Sequence, residues 1–114
     1  MESNAGDRRH SRRFNVRLTL RYRVSERGSE QRWNTAITRD MSRDGVIFKT
    51  RRTLPVGAHL EMRFDWPVRY DSTYPVALQA TGFVMRSAEG RTAVRISSHR
   101  FDVNFDSASL RATA

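Results

Sequence analysis

From Phe14 to Val24 apolar side chains occupy every second position: Phe14, Val16, Leu18, Leu20, Tyr22 and Val24, with Asn15, Arg17, Thr19, Arg21 and Arg23 between them. A period of two belongs to an extended strand with one buried face, so a long first strand is predicted. The segment SERGSEQ, with Gly28 and polar neighbours, breaks the pattern as a hairpin loop does. Trp33, Thr35, Ile37 and Met41 resume the parity on a second strand that runs into DMSRDG, and VIFKT after Gly45 reads as a third. A turn through Pro55 and Gly57 leads to Leu60, Met62, Phe64 and Trp66, a fourth strand stopped by Pro67. PVRYDSTYP has no period and is read as a loop. Val76, Leu78, Ala80, Gly82 and Val84 mark a fifth strand, on which Gly82 allows a bend or the close approach of a neighbour. After the turn SAEGR, residues 92–97 give a short sixth strand carrying Val94 and Ile96.

Six short strands with no sustained 3.6-residue pattern predict an all-β antiparallel sandwich or barrel. Closure is favoured, because a small sheet with one apolar face per strand buries those faces by curling onto itself and loses its exposed edges in doing so. Residues 1–13 lack any apolar period and end in RRHSRR, so they are read as a flexible arginine-rich arm. Residues 14–100 form the barrel. Residues 101–114 form a short C-terminal tail in which SASLRATA has some helical propensity but only Leu110 to anchor it.

The chain has 114 residues, 38% hydrophobic and 29% charged, which fits one folded domain. No apolar run is long enough to span a bilayer and the N-terminus has no signal-peptide core, so a soluble, cytoplasmic protein with no membrane insertion is expected. The absence of cysteine removes disulfides and thiolate metal sites. Charge changes the picture more. The net charge is +9, and residues 1–52 carry 14 basic against 6 acidic side chains while residues 53–114 carry 7 against 6. A concentrated cationic region is costly by self-repulsion unless an anion uses it, so a phosphate-bearing partner leads. Twenty of the 21 basic residues are arginine, whose planar fork suits phosphates and the guanine edge, although a GC-rich genome also favours it.

No enzyme signature is present: there is no GxSxG, Walker loop or GxGxxG, and no evident acid/base pair of carboxylates. His10, His59 and His99 lie far apart with no metal-ligand spacing, so no catalytic residue, metal or cofactor is expected. Two motifs remain. In R8-R9-H10-S11-R12-R13, Arg8 with Arg12 and Arg9 with Arg13 form overlapping RxxxR pairs; alone, they read as a solvated basic tail. D40-M41-S42-R43-D44-G45 is a DxSxxG at a strand junction; alone, it reads as a tight turn in which Asp and Ser bond nearby amides and Gly supplies conformational freedom.

In that order, the two motifs resemble the PilZ domain, the bacterial receptor for cyclic di-GMP. The long first strand, LPVGAHLEMRF and ALQATGFVMRS extend the similarity from about Arg8 to Ile96. The resemblance implies a six-stranded antiparallel β-barrel and a ligand site at Arg9, Arg13, Asp40, Ser42 and Gly45. Arg9 or Arg13 would fork onto guanine O6 and N7 or onto a phosphate, and Asp40 would accept from guanine N1 and N2, a donor pattern adenine lacks. Ser42 would donate to phosphate or accept from the base edge, and Gly45 would leave room for the ligand. Arg8 is the position that in relatives accompanies an intercalated ligand dimer, and Arg12 would add a phosphate contact. Arg86 on the fifth strand is either a wall of the site or an exposed strand residue. One departure is the last strand, AVRISSHRF where the family reads GVRF.

The reading is therefore a cyclic di-GMP receptor whose arm orders over the barrel on binding and which signals through an unidentified effector protein. Two alternatives stand beside it. A single-stranded nucleic-acid-binding barrel could draw on Tyr22, Trp33 and Phe48 for stacking, but their parity with Leu18 and Ile37 favours core packing and makes nucleic acid the weaker partner. The other is a ligand-free PilZ-like adaptor, disfavoured because both motifs are intact.

Overall fold

The computed structural model describes residues 15–25 and 32–105. They form six strands, β1 (Thr19–Val24), β2 (Asn34–Met41), β3 (Gly45–Lys49), β4 (His59–Asp65), β5 (Val76–Ala88) and β6 (Arg91–Val103). Every neighbouring pair is antiparallel, and the order β1-β2-β3-β6-β5-β4 closes through β1 and β4 into a barrel, so no strand edge is left open.

The interior is built by the inward side chains of each strand. Leu20 and Tyr22 from β1, Val46 and Phe48 from β3, Leu60, Met62 and Phe64 from β4, Leu78, Ala80 and Val84 from β5 and Val94 from β6 are buried in one cluster. The period of two in β4 is realised without exception, because Leu60, Met62 and Phe64 alternate with side chains that stay accessible. β5 and β6 are joined by a two-residue turn in which Glu89 (φ 54°) and Gly90 (φ 77°) both take left-handed backbone. That geometry matches the twist of paired strands. Gly82 sits where β5 crosses β6: a Cβ there would run into the Arg95 carbonyl oxygen and come within 2.8 Å of Val94 Cγ1. The expected close approach of a neighbouring strand is therefore present.

Three features differ from the sequence reading. β1 begins at Thr19 rather than near Phe14; Val16 and Leu18 still pack on the core, but from a segment outside the sheet ladder. In β2 the buried residues are Ala36, Thr38 and Met41, while Trp33 and Ile37 are 43% and 47% exposed. Trp33 is thus not core; its ring carries the Arg23 guanidinium, 4.6 Å from the ring centroid. The parity fails because Thr38 pairs with Phe48 and Asp40 with Ile47, so Arg39 is an extra residue and a β-bulge changes the phase of the strand. Finally, β6 runs to Val103, well beyond residue 97. Its second half pairs with β5 through the backbone while residues 97–101 stay exposed, and hydrophobic periodicity carries no trace of such a segment.

Thr38 is the one fully buried polar side chain next to the bulge. Its hydroxyl donates to the Val16 carbonyl at 2.6 Å and accepts from the Leu18 amide at 2.8 Å, clasping the segment that precedes β1. At the other end of the barrel, the Thr50, Thr92 and Ser87 hydroxyls form a chain of 2.9 and 2.8 Å contacts that ends on the Leu54 amide.

Candidate functional site

The DxSxxG segment connects β2 to β3, and its turn is held from both sides. The Ser42 amide donates to the Gly45 carbonyl at 2.8 Å, and the Gly45 amide donates to Ser42 Oγ at 3.2 Å. The Ile96 amide of β6 reaches back to the Asp44 carbonyl at 2.8 Å, tying the turn to the barrel wall. Gly45 fits a tight space: a Cβ would lie 3.2 Å from the Val94 carbonyl oxygen. Ser42 is therefore partly committed to its own turn, with its hydroxyl oriented by Gly45 at the rim of a cleft.

That cleft, about 300 Å³, lies on the outside of the barrel across β2, β3, β6 and β5. Its axis is one row of the sheet. Asp40 pairs with Ile47, Ile47 with Ala93 and Ala93 with Arg86. Three inter-strand spacings make the row about 14 Å long. Ile47 and Ala93 give a low apolar floor; Asp40 and Arg86 stand at its two ends.

Two bulges create this arrangement. On β2 the extra residue is Arg39, so Arg39 and Asp40, consecutive in sequence, both lie outside between the buried Thr38 and Met41. On β5 pairing jumps from Val84 to Arg86, so Met85 and Arg86 are both exposed beyond the buried Val84. A regular strand shows one side chain in two on a given face; here each flanking strand shows two in succession. The bulges thus widen the chemistry of the face at the same level on both sides of the β3–β6 pair.

Asp40, Ser42, Gly45 and Arg86, four of the residues singled out in the sequence, line this cleft together. Arg8, Arg9, Arg12 and Arg13 lie outside the described residues. Sequence reading did not find Ile47, Met85, Ala93 and Arg95, which also line the cleft, because register across strands brings them there and no linear spacing encodes it. Among the described residues no cluster of three or more His, Asp or Glu side chains could hold a metal ion, and no helix is long and apolar enough to cross a membrane.

The charges on this face are not neutralised by their neighbours. Arg39, Lys49, Arg86, Arg91 and Arg95 form no ion pair among the described residues. Arginine that is neither paired nor buried keeps all five donors available to an incoming anion. An acidic acceptor, a hydroxyl, an apolar platform and several open guanidiniums form a constellation suited to an anionic ligand with a flat, donor-rich ring system.

Comparison with known families matches residues 7–112, nearly the whole chain, to the PilZ domain. No curated protein matches the chain.

Proposed function

We propose that this chain, which belongs to the PilZ family of cyclic di-GMP-binding domains, is itself a cyclic di-GMP receptor that holds its ligand on the outer β2–β3–β6–β5 face. The observation that carries the reading is the convergence of Asp40, Ser42, Gly45 and Arg86 on one cleft, in a chain whose N-terminal segment supplies the matching RxxxR.

In this reading a guanine lies over Ile47 and Ala93, Asp40 accepts from its N1 and N2 donors, and Ser42 and Arg86 meet the phosphate side. Arg9 and Arg13 close over the ligand from the arm, with Arg12 adding a phosphate contact and Arg8 serving a second, intercalated ligand. Neutralising mutually repelling arginines is what makes the closed arm favourable, and the new surface is what an effector protein reads. No covalent step is involved.

Nucleic-acid binding is the weaker reading. Tyr22 is 7% exposed and Phe48 fully buried, their tilted rings packed with centroids 5.1 Å apart, so neither is offered to a base. Trp33 remains, and Arg23 already covers it.

Isothermal titration tests the proposal. The parent should bind cyclic di-GMP saturably and reject cyclic di-AMP and GMP, and Asp40→Ala and Arg9→Ala should each weaken binding at least tenfold. Equal binding of cyclic di-AMP, or variants that bind like the parent, would sink it.

A further inference from the structure

The cleft does not stop at Arg86. A second depression, about 520 Å³, continues from it across the same four strands and shares Asp40, Ile47, Ala93 and Arg86 with it. Beyond those shared residues it is lined by Arg39, Arg91, Ala88 and Glu89. The two lobes differ in charge. The first has Arg95 and the Ser42–Gly45 turn; the second has Arg39 on β2, Arg91 on β6 and one carboxylate of its own, Glu89, with Arg86 shared by both lobes.

Register explains the spacing. Arg91 and Arg95 lie on β6 two positions either side of Ala93, so each is about 7 Å along the strand from the centre of the apolar floor. Arg39 is the bulge residue of β2: it has no partner on β3, and it and Asp40 face outward in succession. Arg39 and Arg91, neither in an ion pair among the described residues, line this open depression together with Arg86.

We infer that Arg39 and Arg91 form a second anion seat, outside both sequence motifs, that binds a phosphodiester of the guanine dinucleotide while the first lobe holds the base and phosphate nearest Ser42. The inference rests on the function proposed above. It makes the site two-lobed and gives it a reason to prefer a ligand with two phosphodiesters over a mononucleotide. The phosphodiester belongs either to the far side of the same ring or to a second ligand stacked on the first, and stoichiometry tells these apart.

The test is calorimetric titration of the full chain with cyclic di-GMP and with GMP, for the parent, Arg39→Ala, Arg91→Ala and, as an equal charge loss in the remote β4–β5 loop, Arg69→Ala. Far-ultraviolet circular dichroism and thermal melting confirm that each variant is folded. Arg39→Ala and Arg91→Ala should each weaken cyclic di-GMP binding about tenfold and flatten its salt dependence, with GMP rejected by every variant as by the parent, while Arg69→Ala leaves cyclic di-GMP affinity within twofold. If one ligand spans both lobes, stoichiometry is unchanged; if the seat serves a second molecule, stoichiometry halves. A parent that binds with Arg39→Ala and Arg91→Ala indistinguishable from Arg69→Ala overturns the second seat alone; a parent that does not bind overturns the receptor reading with it.

Discussion

On the β1–β4 side of the barrel, Arg23 forks onto Glu61 through Nε and Nη2 at 3.2 and 3.1 Å, Ser25 adds a third bond to the same carboxylate, and Arg63 lies 3.7 Å from Asp102, which also accepts from Gln79. On the β2–β3–β6–β5 side, five cations form no ion pair among the described residues, although Asp40 and Glu89 share the face, and both strands that frame them are bulged. Both sides share one barrel and one arginine-rich composition. What separates them is how the charges are partnered: Arg23 lies opposite Glu61 across β1 and β4 and pairs with it, while none of the five cations on the bulged side reaches a carboxylate among the described residues. On the reading proposed above, a ligand supplies the counter-charges of the second face.

The comparison is most severely strained where the two sides join. Gly82 of β5 lies between β4 and β6, and Gly82→Ala forces a Cβ into the Arg95 carbonyl, which backbone cannot easily yield. A loss of about 3 kcal/mol is expected, read as a fall in Tm of more than about 10 °C, with both faces disturbed together. A near-parent Tm would mean that the seam is looser than its geometry.

A sharper cut is deletion of Arg39. The remaining order, Thr38 inward, Asp40 outward and Met41 inward, is that of a regular strand, so the barrel should fold. Cyclic di-GMP affinity should nonetheless fall at least tenfold, because one cation is gone and Asp40 is re-aimed. Titration beside a melting curve separates these effects; full affinity in a folded deletion variant would deny the bulge its role.

The smallest effect belongs to the paired face. Hydrogen bonding from Arg23 is the main cause holding the Glu61 carboxyl below its ordinary pKa, with burial opposing it and Ser25 assisting. A lowered pKa means stabilisation that is present above the ordinary carboxylate range and lost as pH falls through the folded-state value. Both partners are over a third exposed, so Glu61→Gln should cost no more than about 1 kcal/mol at neutral pH, the difference from the parent shrinking in acid, with ligand affinity within twofold. Melting at pH 7 and pH 3 checks the sign.

How far the sequence carried this picture depended on what holds each part. β4 was legible because one buried face imposes its period on Leu60, Met62 and Phe64. The DxSxxG turn was legible because its bonds are local, between Ser42 and Gly45. The exposure of Ile37, the placement of Arg39 and the floor of Ile47 and Ala93 were not, since each follows from how one strand registers on another. The far half of β6 was silent for a related reason: it is held by backbone pairing with β5 and by cross-strand contacts such as Gln79 with Asp102 and Trp66 with Phe101, none of which leaves a linear period.

The Thr38 clasp has a consequence for kinetics. By fixing Val16 beside the Ser42–Arg43 turn, it sets the origin from which the arm is measured. Chain geometry then keeps the Cα of Arg13 within about 11 Å of Val16 and that of Arg9 within about 25 Å. On the reading proposed above, the encounter of these arginines with a ligand in the cleft is intramolecular, at an effective concentration in the millimolar range for short tethers. Loosening the clasp would lengthen the tether and lower that concentration without touching a single ligand contact.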